Sequence, residues 1–405
     1  MRYCPLFLAL ALLLCGCHAV QDPPFPSSVA EPTTAPTAAF ETSTAPTSAQ
    51  AAEDPPTSPT EAPKPEFDAY SIIDTMTDEA LVGQLFLARC PDADTLADIA
   101  RYQPGGFVLF GRDFANETPD SLTLRISEYQ SASPIPMLIA VDEEGGTVTR
   151  VSSYQQYRSA RFPSPRNLFA QGGIDLILET ETEKCQLLKS LGINVNIGPV
   201  CDITDDPAAF MYRRSLGESP AVTGAFAAEV CMLMGSEQVG SVLKHFPGYG
   251  NNTDTHTGIA RDSRSLETLE SSDLIPFRAG IAAGCDGILV SHTIVEAFDP
   301  DAPASLSPSV VRYLRDTLGF DGVILTDDLI MEAITDRYGA EESAVLAVLA
   351  GCDMLCSSEY QIQYAAVLEA YQLGRIPADQ IRDSVARILT WKYRLGLLEH
   401  SPIVH

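Results

Sequence analysis

Positive charge is scarce in this sequence. Lys and Arg total 26 against 54 Asp and Glu, for a formal charge of -28. That balance excludes a nucleic-acid backbone as partner, because no basic excess is there to displace counterions. It also excludes adhesion to anionic lipid through a basic face. A disulfide framework is lacking as well. Cys4, Cys15 and Cys17 sit at the extreme N-terminus, which leaves Cys90, Cys185, Cys201, Cys231, Cys285, Cys352 and Cys356. Their number is odd and their spacing irregular. Most lie in apolar runs, where a thiol acts as a small hydrophobe. Cys352 and Cys356 have no second ligand pair for zinc. No G-x-G-x-x-G follows the first strand candidate, so a dinucleotide-binding turn is not expected.

The N-terminal apolar run, Leu6 to Leu14, is too short to span a bilayer. With Arg2 before it, it reads as a targeting signal. Leu14-Cys15-Gly16-Cys17 resembles the bacterial lipoprotein signal, with cleavage after Gly16 and lipid on Cys17. Residues 1–16 are therefore expected to be a signal peptide. Residues 17–66 read as a lipidated, disordered tether. This stretch is dominated by Pro, Thr, Ser, Ala and Glu, and cannot bury enough surface to offset its ordering entropy. The folded body is expected over residues 67–400.

From Phe67 onward short apolar runs alternate with longer amphipathic ones. The strand candidates are Leu85–Ala88, Gly106–Phe110, Met137–Val141, Val195–Pro199, Ser241–His245, Gly287–Ser291, Gly322–Thr326 and Asp353–Cys356. Near-continuous apolar runs of this kind suit parallel strands covered on both faces. Helical patterns lie between several of them, at Thr180–Leu191, Ala221–Met234 and Glu341–Ala350. Eight such units predict an α/β fold, a (β/α)₈ barrel of irregular outline. An open doubly wound sheet is the alternative. Pro377–Leu398 reads as a closing helix, with Ile381, Val385, Ile388, Leu389 and Leu395 facing the body.

Polar residues gather just after the strand candidates, and in a barrel those ends make one face. Val141-Asp142-Glu143-Glu144-Gly145-Gly146 sets three acids there, with Arg150 close behind. Arg213 and Arg214 follow the fourth candidate, Lys244 and His245 end the fifth, and Asp327-Asp328 end the seventh. One acid at such a junction is often only a helix cap. Several acids with Arg, Lys and His suggest a pocket for a neutral, hydroxyl-rich ligand held by directed hydrogen bonds. Strand alternation puts Asp327 and Asp328 on opposite faces; if Val323, Leu325 and Asp327 point into the barrel, Asp327 reaches the ligand and Asp328 supports it from behind.

The densest stretch is Lys244 to Gly258, K-H-F-P-G-Y-G-N-N-T-D-T-H-T-G. Asp254 and His256, two apart, can point the same way in an extended loop. Asp254 can then fix the tautomer of His256 and leave its other nitrogen to exchange a proton. A surface turn with a solvent histidine is the plainer alternative. A metal on His245 and His256 is disfavoured by their spacing and by Lys244.

The chain resembles the family 3 glycoside hydrolases, in their single-domain bacterial β-N-acetylhexosaminidase branch. The resemblance spans Phe67 to Leu398. It is carried by Gly105–Gly111, Val141–Gly146, Arg214–Glu218, Lys244–Gly250, Asp254-Thr255-His256 and Gly319–Met331. It implies Asp327 as nucleophile, His256 as general acid/base and Asp254 as its orienting partner. Asp142, Arg150, Arg214, Lys244 and His245 would bind the sugar. It further implies a retaining exo-β-N-acetylglucosaminidase acting on peptidoglycan fragments, muropeptides or related β-linked glycans. No metal or organic cofactor is implied. A lipid-anchored, extracytoplasmic monomer is expected, without nucleic-acid partners. A related β-glycosidase, a glycoside phosphorylase and a silent sugar-binding lipoprotein are the alternatives. Tyr249-Gly250 stands where many members have His-Gly. The Asn251–Thr253 spacer is one residue short.

Overall fold

The computed structural model describes residues 67–251 and 260–398. Expectations for the signal peptide, the tether and Cys17 lie outside the described residues.

Among the described residues ten strands form, named β1 to β10 in chain order. They are Phe86–Arg89, Gly106–Leu109, Leu138–Val141, Val195–Asn196, Gly240–Phe246, Arg261–Asp262, Gly287–Val290, Ile294–Val295, Val323–Thr326 and Leu355–Ser357. Eight make one parallel sheet in the order β10-β1-β2-β3-β4-β5-β7-β9. Its two ends nearly meet. The Thr326 amide donates to the Met354 carbonyl at 3.1 Å, and Met354 donates back to Ile324 at 3.1 Å. Leu325 and Met354 pair as a parallel bridge across the seam. A near-closed barrel removes both sheet edges.

The reason these strands lie inside is visible residue by residue. β2, β3, β5, β7 and β9 are buried along their whole lengths, and their residues are mostly Val, Ile, Leu and Phe. Covered on both faces, such runs show no polar alternation. Helices Pro220–Ser236, Leu274–Ala282 and Ala340–Ala350 follow strands and bury apolar residues such as Phe226, Phe277 and Val348.

Most boundaries fall within one or two residues of expectation. β4 is shorter than its run, because Pro199 has no amide proton to continue a ladder. Leu85 caps the helix Asp78–Gln84 instead of opening β1, and Thr77 begins that helix by accepting from the Ala80 amide at 3.3 Å. The helix expected at Thr180–Leu191 runs from Pro165 to Ser190 and is broken at Gly173, whose φ of 66° ends one segment before the next begins. The short β6 and β8 had no sequence signal. They pair outside the barrel, and the Ile294 amide donates to the Ala260 carbonyl at 2.9 Å. That pairing fixes the chain just after residue 259 beside the exit of β7.

The closing helix spans Ala378–Arg394. Ile381, Val385, Ile388 and Leu389 are fully buried, while Leu395 caps the helix half-buried. The same helix carries a charge into the core. Lys392 is fully buried and donates to Gln84 Oε1 at 2.6 Å. Burial pushes its pKa down to about 7. The lysine is therefore neutral in the folded state at high pH but charged in the unfolded chain up to its ordinary value of 10.5. Between those two values folding releases a proton, so stability falls as pH falls, by about 1.4 kcal/mol per pH unit. Lys392→Met should remove this dependence. Its stability gain over the parent, from denaturant unfolding, should be larger near pH 7 than near pH 9 by about 2–3 kcal/mol. A pH-independent difference would contradict the assignment.

Candidate active site

At the C-terminal ends of the strands the described residues surround a cavity of about 750 Å³. It is bordered by Arg89, Phe110, Asp142, Arg150, Arg214, Lys244, His245, Asp327 and Asp328, among others. Asp142, Arg150, Arg214, Lys244, His245 and Asp327, dispersed over 186 positions of sequence, thus come together. Asp254 and His256 lie outside the described residues.

The side chains are placed by strand ends and by the loops that leave them. Lys244 and His245 belong to β5. Its register against β7 shifts between Lys244 and Phe246, an irregularity that re-aims side chains at a barrel rim. Asp142, Glu143 and Glu144 follow β3 and enter a tight turn. The turn needs glycine at Gly145, with φ of 100°, because a β-carbon there would sit 2.3 Å from the Pro163 carbonyl oxygen. Glu143 is fully buried and points away from solvent. Its carboxylate accepts from the amides of Arg150 and Val151 at 2.8 and 2.7 Å and also binds Ser152. It holds the loop that carries Arg150.

Glu144 is the centre of the charged wall. It receives Arg214 through two bonds, Nε at 2.9 Å and Nη2 at 2.6 Å. Lys244 Nζ reaches Glu144 Oε1 at 2.6 Å and Asp142 Oδ1 at 2.6 Å. Burial alone would push the Glu144 carboxyl up. Arg214 and Lys244 outweigh it and hold that carboxyl well below the usual carboxylate range. Burial likewise pulls against the charge on Lys244, yet Asp142 and Glu144 raise its pKa above the ordinary value. Both ions therefore stay charged. Arg150 approaches Asp142 at 4.0 Å and, with Arg89, lies over the Phe110 ring at 5.8 and 4.8 Å.

Another part of the cavity's border is built by β9. The Asp327 amide donates to the Val290 carbonyl at 3.1 Å, which continues the β7 ladder past Thr326. Asp327 Oδ1 accepts from the Asp328 amide at 2.9 Å. Asp328 binds Ser358 through both its amide and hydroxyl, and accepts from Ile330 at 3.3 Å. Burial raises the Asp328 pKa against those bonds. Both acids border the cavity, but the Asp328 carboxylate is committed to the loops around it, as expected of a supporting residue. The Asp328 carbonyl is further held by His292 Nε2 at 3.0 Å.

A model of the glycosyl hydrolase family 3 N-terminal domain matches residues 76–391. The chain belongs to glycosyl hydrolase family 3. It is 31% identical over 323 residues to Beta-hexosaminidase LpqI of Mycobacterium tuberculosis, covering 77% of this chain and 81% of that protein. A Beta-hexosaminidase of Xylella fastidiosa is 35% identical over 258 residues, 62% of this chain and 75% of the relative. Among solved structures, a family 3 beta-N-acetylglucosaminidase from Paenibacillus superposes with a TM-score of 0.75 at 32% identity. The match covers 82% of this chain but only 65% of that longer one. The structure of M tuberculosis LpqI gives a TM-score of 0.74 at 29% identity, covering 80% and 96%. The family 3 domain described above is thus a glycosidase of the β-hexosaminidase kind.

Several residues of this family 3 site were not foreseen. Arg89 ends β1, where only an apolar run drew notice. Asp202, fully buried after β4, accepts from His245 Nδ1 at 2.8 Å. It followed the same signal as the others, an acid just beyond a strand candidate. Glu143 and Glu144 stood in a noted cluster without separate tasks. Arg264 pairs with Asp262 and Asp273, and packs within 2.7 Å of where a Gly250 β-carbon would stand. Tyr249 is buried with its ring edge-on to His245 at 5.3 Å. Among the described residues no cluster of three His, Cys, Asp or Glu is arranged to hold a metal ion. All seven described cysteines are free and buried.

Glu144→Gln should destabilise the fold by about 3–5 kcal/mol near neutral pH, because the buried Arg214 loses its counter-charge and Lys244 is left with Asp142 alone. A depressed folded pKa contributes stability above the ordinary carboxyl value of 4.5 and loses it as pH falls below that. The deficit of the variant, read by urea unfolding, should therefore shrink between about pH 5 and pH 3. An equal deficit at both would contradict the charge assignment.

Proposed function

We propose that the protein is a retaining exo-β-N-acetylglucosaminidase that removes terminal GlcNAc from peptidoglycan fragments or related β-linked glycans. The observation that carries this reading is that one cavity is bordered both by Asp327 and by a cluster of paired charges. Asp327 borders the same cavity as Asp142, Arg150, Arg214, Lys244 and His245. The hexosaminidase relatives support the substrate class.

The charged wall suits a neutral sugar. Asp142 and Lys244 together present an acceptor and a donor 2.6 Å apart, fixed before the ligand arrives. A hydroxyl can bridge such a pair, and fixed partners lose little entropy on binding. In this reading Asp327 attacks the anomeric carbon and forms a glycosyl-aspartate bond. His256, oriented by Asp254, gives its proton to the leaving oxygen. It then takes a proton from the water that cleaves the intermediate. A histidine replaces the second carboxylate of the usual glycosidase pair. The roles of Asp254 and His256 rest on the Asp-x-His motif in the sequence. The lipoprotein signal supports a chain anchored outside the cell through Cys17, with residues 17–66 as the tether.

Purified enzyme on p-nitrophenyl β-glycosides should release the phenol from the GlcNAc compound far faster than from the glucose compound, without added phosphate. Asp327→Ala should lower that rate at least about 10³-fold, the loss of a covalent step. A slow fluorinated substrate should leave one sugar mass on the peptide holding Asp327. A label elsewhere, or full activity in Asp327→Ala, would reject the mechanism. His256→Ala should slow an unactivated disaccharide more than an activated phenyl glycoside, since a good leaving group needs little protonation. Equal losses on the two would remove His256 from its role.

A further inference from the structure

The Asp202 carboxylate is wholly enclosed and serves a single short turn. Its Oδ2 accepts from the His245 amide at 3.2 Å and from His245 Nδ1 at 2.8 Å. Its Oδ1 accepts from the Tyr249 amide at 2.8 Å. The segment bearing it is tied to the same strand, for the Cys201 amide donates to the Lys244 carbonyl at 2.7 Å. The other face of the imidazole is occupied too. His245 Nε2 lies 3.1 Å from Arg214 Nη2.

These two contacts decide where the imidazole proton is. A guanidinium has donors and no acceptor. Beside Arg214, Nε2 can therefore only accept. A carboxylate is an acceptor, so Nδ1 beside Asp202 must donate. Both ends of the ring demand the same form, with the proton on Nδ1 and a lone pair on Nε2. We propose that Asp202 is a positioning residue that locks His245 in this form, so that His245 orients Arg214 and never donates a hydrogen bond to the sugar.

The consequence is a division of labour along one chain of contacts. Asp202 sets His245, His245 and Glu144 set Arg214, and Glu144 with Asp142 sets Lys244. Donors for the sugar come from Arg214, Lys244 and Arg150. The acceptor comes from Asp142, since the one Nε2 lone pair is taken by Arg214. Asp202 works through His245 and does not border the cavity. It also pins Tyr249, two residues before the stretch that leads to Asp254.

The test has two independent arms. The full chain, labelled with ¹⁵N-histidine, is read by NMR, and His245→Gln assigns the resonance. The parent should show His245 Nδ1 protonated and Nε2 bare; a protonated Nε2 would overturn the proposal. This arm needs neither turnover nor an Asp202 variant that folds. The second arm rests on the glycosidase reading. Asp202→Ala should lower kcat/KM for a GlcNAc glycoside by about 10²-fold, the usual effect of misplacing a binding group. If Asp202 acts through His245, the double variant Asp202→Ala/His245→Ala should be no worse than the poorer single one. Losses that multiply would overturn the coupling. Absence of any turnover by the parent would reject the glycosidase reading, while the nitrogen pattern would still decide the proton's place.

Discussion

Everything at the mouth of this barrel depends on one buried carboxylate, that of Glu144. It lies between a lysine and an arginine that no apolar interior would otherwise accept. Removing two cations from water costs several kcal/mol each unless a partner is close and well aligned. Glu144 supplies both contacts at 2.6 Å, and Asp142 adds a second bond to Lys244. The ions are charged, fixed and ready before any ligand binds. A wall assembled in this way recognises position and direction, which is what separates one sugar hydroxyl from another.

The barrel makes that wall affordable. Glu144 follows β3, Lys244 belongs to β5, and Arg214 rides a loop between β4 and β5. Parallel strands deliver all three to one rim, where short loops can bend them inward. Two further devices hold the β5 exit. Asp202 grips the turn at His245 and Tyr249 from one side, and Arg264 with Asp262 and Asp273 packs against its glycines from the other. The chain then leaves at Asn251 and returns at Ala260, where β6 and β8 catch it. Asp254 and His256 fall within that interval, so both of its ends are anchored to the rim that carries the binding residues.

Much of this was legible in the sequence. Eight apolar runs became the eight barrel strands because strands covered on both faces carry no polar alternation to confuse them. The residues proposed for sugar binding were also visible: Asp142 directly follows a run, Lys244 and His245 end one, and Arg150 and Arg214 stand in the loops that follow. What remained hidden was how the charges pair. Periodicity separates Asp327 from Asp328 but shows neither which of them faces the cavity nor the bonds that tie the Asp328 carboxylate to Ser358. Nor can spacing join Glu144 to Arg214, 70 positions away. Asp202 showed only as one acid after a strand. The long helix from Pro165 was half missed because Gly172 and Gly173 interrupt its pattern, and β6 and β8 are too short for any pattern to register.

The central claim is that the residues around one cavity process a β-linked GlcNAc by double displacement, and stereochemistry tests it most directly. Proton NMR during hydrolysis of p-nitrophenyl β-N-acetylglucosaminide, whose leaving group has no anomeric centre, would follow the anomeric signal of the newly released sugar. The account predicts that β-GlcNAc appears first and equilibrates with the α-anomer only later. Release of α-GlcNAc as the first product would contradict it, because a single displacement by water leaves no task for a nucleophile at Asp327.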